Sequence, residues 1–441
     1  MRRAGGFVRG LFHARARAVG SLAAAQYISA ALAFAGTILA ARILGPKGFG
    51  LAALAMAYPN LVGSLTGVKS STVTVRYLSA YRASNEAGKL LSVCRLGYLI
   101  DGAASLLATV IVSATAGWAN RASGGETIPL WLPIAFSLLM AAGSVGGTGG
   151  AILTAFERFH VAGVLLIVGR LISFGLMLAF LLAGARVAGL VIASGLAAAV
   201  GGALTALAAG WTLRKAGFAG NKQRIPAFSR KEIGQLFGWN YLAVTAGGAL
   251  LQLPMLILGH LGGPVAAGYM RISSGVVLTA TYVEGSLSRL AYPLLSKSFQ
   301  TKSPESIAKT LRRWVFWRGL PIGVLILFGI PLVPALVPLT FGPEFKSMIA
   351  GLQFLLVGAA VSTTYFYLLP WYYSSGQVRL WAIANCIYAS ATLAAIWTLG
   401  QMFGFTGAAA AAAAGKILFS VSMGASGLRK AGGLTHKATS S

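Results

Sequence analysis

Acid is what this chain has least of: eight Asp and Glu stand against 36 Lys and Arg in 441 residues. Reactive groups of other kinds are as scarce, with four His and two Cys in all. His13, His160, His260 and His436 are nowhere spaced as metal ligands. No loop carries paired carboxylates or a Ser-His-Asp set, so neither a metal centre nor a hydrolytic one is expected, and the chain reads as a non-enzyme without cofactor. Cys94 and Cys386 fall near same-side ends of predicted spans and promise no disulfide.

What fills the chain instead is hydrocarbon. Hydrophobic residues make up 56% and charged residues 10%, with a mean hydropathy of +0.75, far from the roughly one-quarter charge of soluble domains. A bilayer core about 30 Å thick takes roughly 20 apolar residues per helix. Runs near 20–41, 49–70, 92–114, 130–152, 161–183, 187–212, 235–259, 266–288, 316–338, 348–371, 379–400 and 405–427 predict twelve transmembrane helices, fourteen being the alternative count. Barrel strands would alternate over about ten residues; these runs are continuous, and the fold class is all-α. The 57 glycines suit helices in close contact, as in GSVGGTGGA (143–151) and SGLAAAVGGALTALAAG (194–210).

The net charge of +28 invites a nucleic-acid reading, but its distribution argues otherwise. With the amino terminus inside, 27 of the 36 basic residues fall on the cytoplasmic side, six on the other, and Lys69, Arg170 and Lys416 inside spans. That is the positive-inside pattern, with both termini cytoplasmic. The basicity is then topology and contact with anionic lipid, and no basic region joins a nucleic-acid reading module. The arm MRRAGGFVRGLFHARARAVG leads straight into a span without the short apolar core and cleavage site of a signal peptide.

The chain repeats itself. Leu44-Gly45 pairs with Leu261-Gly262 at a shift of 217, Phe156 with Ser375 at 219, and Gly189 with Gly407 at 218. The expected domains are a basic arm (1–19), an N-lobe of helices 1–6 (20–215), a linker (216–233), a C-lobe of helices 7–12 (234–428) and a tail (429–441). An even number of spans per half makes this a parallel repeat. Ser229-x-x-Glu232 reads as a capping box opening the second half. Each half starts with a hairpin turned by Gly and Pro; Gly45-Pro46-Lys47-Gly48 lacks the GxxxxGK[ST] of a phosphate loop.

ARILGPKGFGLAALA after span 1, VRYLSAYRA (75–83) after span 2 and AFERFHVAG (155–163) between spans 4 and 5 recur in one known family, as do ILGHLGGPVAAGYM after span 7 and LTFGPEFKSM (339–348) after span 9. Together these resemble the bacterial polysaccharide-biosynthesis exporters, the O-antigen and exopolysaccharide flippases of the multidrug/oligosaccharidyl-lipid/polysaccharide superfamily. The resemblance covers about residues 20 to 428. It implies two lobes around a central cavity open alternately to each side, in the bacterial inner membrane. The implied cargo is an undecaprenyl-pyrophosphate-linked oligosaccharide, with membrane lipids and other polysaccharide-assembly proteins as partners and a monomer sufficing. One departure is LLQLPMLILG (250–259), where relatives carry an acid and this chain has Gln252.

Charges within spans are expensive, about 2.5–3.5 kcal/mol on insertion scales, and so mark candidate sites. Arg170, near the midplane of span 5, is expected either to meet the cargo's pyrophosphate or to pair with Asp101 of span 3. Lys69, Arg271 and Lys416 would extend a basic lining or snorkel to an interface. Asp101 and Glu284 are candidates for coupling to an H⁺ or Na⁺ gradient, Glu284 alternatively pairing with Arg289. Arg42 and Lys47 either rim the outer mouth or mark the end of a hairpin. Tyr365, Tyr367, Trp371, Tyr372 and Tyr373 suit an interface belt or a sugar platform. The alternatives to a flippase are a multidrug or cation antiporter on the same fold, which would want more acid, and a membrane glycan polymerase or ligase. The last would want a large outer loop, whereas the longest here, about Gly117 to Pro129, has only Arg121 and Glu126 charged.

Overall fold

Helices form wherever the apolar runs are unbroken, and they break where a glycine takes a left-handed backbone. The computed structural model describes residues 2–67, 71–122, 128–218, 230–301 and 304–433. Lys69, Glu126 and Ser229 lie outside these, as do most of the interlobe linker and most of the tail; the side chains of the basic arm, of Arg121 and of Arg289 are outside the description too.

In chain order the α-helices are α1 (Arg2–Thr66), α2 (Ser71–Ala83), α3 (Ala87–Ala122), α4 (Trp131–Gly143), α5 (Val145–Ala155), α6 (Phe159–Leu182), α7 (Arg186–Lys215), α8 (Arg230–Ala280), α9 (Tyr282–Thr301), α10 (Pro304–Trp314), α11 (Leu320–Gly329), α12 (Val333–Thr340), α13 (Ile349–Thr364), α14 (Leu368–Ser374) and α15 (Val378–Gly433). Among the described residues there is no strand. Nine helical stretches among the described residues are long and apolar enough to cross a membrane. Three of them are broken at Gly45, Gly263 and Gly404, so they hold twelve crossing segments, as the apolar runs predict.

The left-handed residues also carry the repeat. Gly45 (φ 66°) matches Gly263 (φ 71°), Glu157 (φ 56°) matches Gly376 (φ 73°), and Gly184 (φ 77°) matches Gly404 (φ 60°), each 218 to 220 residues apart. The first match moves the sequence alignment by one residue, from Gly262 to Gly263. Such a conformation is open to glycine at little cost and is strained for other residues. Gly189 and Gly407 also serve alike, each lying against the end of the preceding span: an added Cβ would press on Phe180 at one and on Phe403 at the other.

The chain forms two compact units. The first comprises Met1–Ala40, Tyr58–Ala119 and Ile128–Gly238; the second Ala41–Ala57, Asn120–Thr127 and Trp239–Ser441. In the first, α4 and α5 pack on α7 through the two glycine-rich stretches. A Cβ on Gly146 would stand 2.9 Å from the Gly202 Cα, and one on Gly149 3.1 Å from the Thr205 carbonyl carbon. Gly143 and Gly202 abut backbone in the same seam. In the second, α13 packs on α15, with Gly358 3.0 Å from the Ala413 Cα by the same measure.

The tip of the first hairpin, Ala41–Ala57, lies in the second unit. There Gly50 faces the Pro264 carbonyl, and a Cβ on Gly268 would stand 2.8 Å from the Pro46 carbonyl oxygen. Pro46 and Gly50 are the repeat equivalents of Pro264 and Gly268, so the contact is reciprocal, as across a two-fold axis. Arg42 braces the tip by donating from Nε to the Thr340 carbonyl at 2.6 Å and from a terminal nitrogen to the Leu339 carbonyl. It thereby caps the C-terminus of α12, where a cation is favoured.

Gly50→Ala is expected to destabilise the protein by about 3 kcal/mol, the upper end of overpacking penalties. Gly201→Ala, at a helical glycine with open space around it, is expected to gain about 0.4–1 kcal/mol. Thermal unfolding of the two purified variants in detergent checks the contrast.

Candidate functional site

The first unit contains a cavity of about 540 Å³ with Asp101 in its wall. It opens between the second half of α1, α3, the α4–α5 pair and α7, with Asn60, Ser64, Thr66, Ser105, Ser137 and Ser144 among its lining residues. Asp101 sits here because α5 offers glycine: a Cβ on Gly147 would be 2.9 Å from Asp101 Oδ2. That oxygen accepts from the Thr148 backbone N–H at 2.9 Å and from the Thr148 hydroxyl at 2.7 Å. Hydroxyl pairs continue the seam along α3, with Ser105 donating to Ser144 and Thr109 sharing a proton with Ser137, both at 3.0 Å.

Arg170 stands at the middle of α6, exposed, and its Nε donates to Ser29 Oγ on the first span at 3.1 Å. Ser29 itself is 4% exposed. Arg170 and Asp101 are therefore anchored on different helices, and the Arg170–Asp101 pairing weighed from sequence is not the bonding found. Arg170's guanidinium has five N–H donors, and the bond to Ser29 fixes it while leaving others for a ligand.

In the second unit Glu284, at the start of α9, accepts from the Thr363 hydroxyl at 3.3 Å. Lys416 of α15 is half-buried and lies within the field of that carboxylate. Arg271 is exposed on α8. Arg42 is committed to the carbonyls of α12, and Lys47 is exposed beside it on the hairpin tip. The structure thus brings Glu284 and Thr363 together, and Asp101 with Thr148, and places Arg271 and Lys47 on surfaces.

Two features escaped the sequence. Tyr367, Trp371 and Tyr372 are 0%, 1% and 0% exposed, in a core with Trp314, Phe366 and Leu295; they are neither an interface belt nor a sugar platform. Their spacing at the end of an apolar run gave no sign that α9 and α15 would cover them. Gln252, read as a departure from the family pattern, has a buried side-chain oxygen without a hydrogen-bond partner. Such an acceptor is rare in folded proteins and costs free energy while it stays unpaired.

Comparison with known proteins follows this geometry. Residues 16–299 match the family model described as polysaccharide biosynthesis protein. No curated protein sequence matches the chain. Among solved structures, an inward-facing multidrug resistance MATE family transporter of the MOP superfamily is similar, with a TM-score of 0.77 at 12% identity over 92% of this chain and 96% of that one. The lipid II flippase MurJ, in an inward closed conformation, gives 0.69 at 14% identity over 91% and 86%. The Vibrio cholerae MATE transporter VcmN in its bent form gives 0.60 at 13% over 95% and 97%. At these identities the likeness establishes a shared fold, the twelve-helix, two-lobe design.

Asp101→Ala leaves the two Thr148 donors without an acceptor and is expected to lower stability by about 1–3 kcal/mol; Asp101→Asn, which keeps an oxygen for them, is expected to lose less than half of that. Gln252→Leu removes an unpaired buried acceptor and is expected to leave the melting temperature unchanged or raise it. Thermal unfolding in detergent distinguishes these outcomes.

Proposed function

We infer transport from the premise that this chain belongs to the polysaccharide biosynthesis protein family, whose model matches residues 16–299. The cargo proposed is an undecaprenyl-pyrophosphate-linked oligosaccharide, carried across the bacterial inner membrane by alternating access with both termini cytoplasmic. The observation that carries the reading is Arg170. An exposed guanidinium halfway along a span of 24 residues is too costly to leave facing hydrocarbon, so its face of α6 is assigned to a water-filled path. Held by Ser29, it can grip phosphate oxygens with its remaining donors. Lys416 supplies a second cation within a span, and Lys69 and Arg271 are assigned to the approaches.

Charge selects among cargoes. A diphosphate needs cations along its path, whereas a cationic drug needs unsatisfied acid. Here Asp101 accepts two hydrogen bonds and Glu284 shares its surroundings with a lysine, which favours the anionic cargo. The two carboxylates remain the groups assigned to H⁺ or Na⁺ coupling, since Asp101 lies within a span, Glu284 lies just past the end of one, and each can exchange its bonded hydroxyl for a proton or a cation.

Arg170→Ala in proteoliposomes is expected to lose at least about tenfold of the flux of a labelled undecaprenyl-pyrophosphate saccharide while keeping the wild-type melting temperature, and Arg170→Lys to recover part of it. Full flux in a folded Arg170→Ala protein would refute the phosphate contact. Wild-type vesicles that move no glycan lipid under an imposed ion gradient but extrude ethidium would instead establish the antiporter.

A further inference from the structure

Away from the Asp101 cavity, the first unit has a second one, of about 480 Å³, where three turns between its helices meet. Arg82 and Asn85 come from the turn after α2; Phe156, Glu157 and Arg158 from the turn between α5 and α6; Ala216 and Phe218 from the end of α7. Each turn contains a left-handed residue: Asn85 (φ 56°), Glu157 (φ 56°) and Gly217 (φ 78°). This is the basic end of the unit, the end expected to face the cytoplasm.

Arg82 is fixed in this cavity from two sides. Its Nη1 donates to the Ala155 carbonyl at 2.9 Å, and its guanidinium carbon lies 5.0 Å from the centroid of the Phe156 ring. Phe156 in turn meets Phe218 edge-on at 5.8 Å between centroids. An aromatic floor thus holds one guanidinium in place with donors left over, and Arg158 brings a second to the rim.

The internal repeat says which of these residues the fold itself needs. The equivalent turn of the second unit is Ser375-Gly376-Gln377, and Gly376 (φ 73°) takes the same conformation as Glu157. A neutral Ser-Gly-Gln is therefore enough to build the turn. The first unit puts Phe-Glu-Arg there instead, and forces Glu157 into a conformation that glycine adopts without strain. Aromatic and charged groups that the turn does not require, gathered around a cavity, indicate a ligand.

We propose that this cavity binds the phosphodiester headgroup of a membrane phospholipid, with Arg82 and Arg158 on the phosphate. Two guanidiniums and one carboxylate leave a net single positive charge, which matches the one negative charge of a phosphodiester better than the higher charge of a pyrophosphate. Glu157 is an acceptor for a hydroxyl beside that phosphate, such as those of a glycerol headgroup. The cavity also lies where spanning helices end, at the depth of headgroups, and basic pockets at such ends take anionic lipids. The proposal is independent of the identity of the transported cargo.

The test is thermal unfolding of the intact protein in detergent, titrated with phosphatidylglycerol, with uncharged diacylglycerol, with glycerophosphoglycerol, the deacylated phosphodiester headgroup of that lipid, and with inorganic pyrophosphate. Phosphatidylglycerol is expected to stabilise the wild type and diacylglycerol not to; glycerophosphoglycerol is expected to compete. Arg158→Gln is expected to weaken the lipid at least about fivefold, and Lys346→Gln, an exposed base of the second unit, not to weaken it. The triple variant Phe156→Ser, Glu157→Gly, Arg158→Gln carries the turn sequence of the second unit, so it is expected to fold and to lose the response. Unchanged lipid affinity in either turn variant overturns the site. Diacylglycerol acting as well as phosphatidylglycerol overturns the phosphate contact, and pyrophosphate competing at lower concentration than glycerophosphoglycerol overturns the phosphodiester assignment.

Discussion

Close approach of one helix backbone to another is the condition on which this structure rests. Hydrocarbon offers no solvent to squeeze out between helices, so association depends on dispersion contact and on the few hydrogen bonds within reach. Dispersion falls off within an ångström of optimal contact, and a side chain at a crossing forfeits much of it. Gly143, Gly146 and Gly149 against the Ala198 to Ala206 stretch, and Gly351 and Gly358 against Phe405 and Ala413, meet that condition by having no side chain. The same device meets at the hairpin tips, where Gly50 and Gly268 each lie against the other repeat's proline carbonyl. The seams in turn bring polar groups within bonding distance. Asp101 reaches Thr148 because Gly147 leaves room beside it.

The charges follow from that packing. An ionised side chain within a span or just past its end needs a polar neighbour or water, and each described one whose bonding is resolved is held by an element distant in sequence. Arg170 has Ser29, 141 residues earlier; Glu284 has Thr363, 79 residues later; Asp101 has Thr148, 47 residues later. Arg42, read from sequence either as part of an outer rim or as the mark of a hairpin end, spends its donors on the carbonyls that end α12. Its charge there holds the hairpin tip to the second unit, a structural use that leaves Lys47 as the exposed base of the turn.

Much of the fold was legible because it is written along the chain. Apolar runs of 20 or so residues, Gly-Pro punctuation and a shift near 218 specify the spans, the hairpins and the duplication; the two glycine-rich stretches read as helix contacts are in contact with each other. What lies across the chain was not legible. Periodicity places Arg170 at mid-span but is silent on Ser29, because the rotation of a helix about its axis is set by neighbours that have no fixed sequence offset. The inner aromatics were misread for the same reason: Trp371 and Tyr372 look interfacial until α9 brings Phe299 against the one and α15 brings the Met423 carbonyl to the other. Nor could the boundary of the units be read from composition, since residues 41–57 belong by sequence to the first hairpin and by contact to the second unit.

Duplication also lets one half serve as a control for the other. Where both copies keep a residue, as at Pro46 and Pro264 or Gly50 and Gly268, the fold asks for it; where they differ, packing has left the choice to something else. Asp101 corresponds to Gly319, whose bare Cα lets the Thr364 carbonyl close in. Thr66 of the Asp101 cavity corresponds to Glu284, and Ala198, lining the same cavity, corresponds to Lys416. Equivalent helix positions therefore surround a carboxylate in both units, but the acid comes from α3 in the first and from α9 in the second. Because the twelve-helix frame is common to both, the difference is not a requirement of folding. One frame thus carries a carboxylate bonded to a threonine of another helix in each unit, Asp101 to Thr148 in the first and Glu284 to Thr363 in the second.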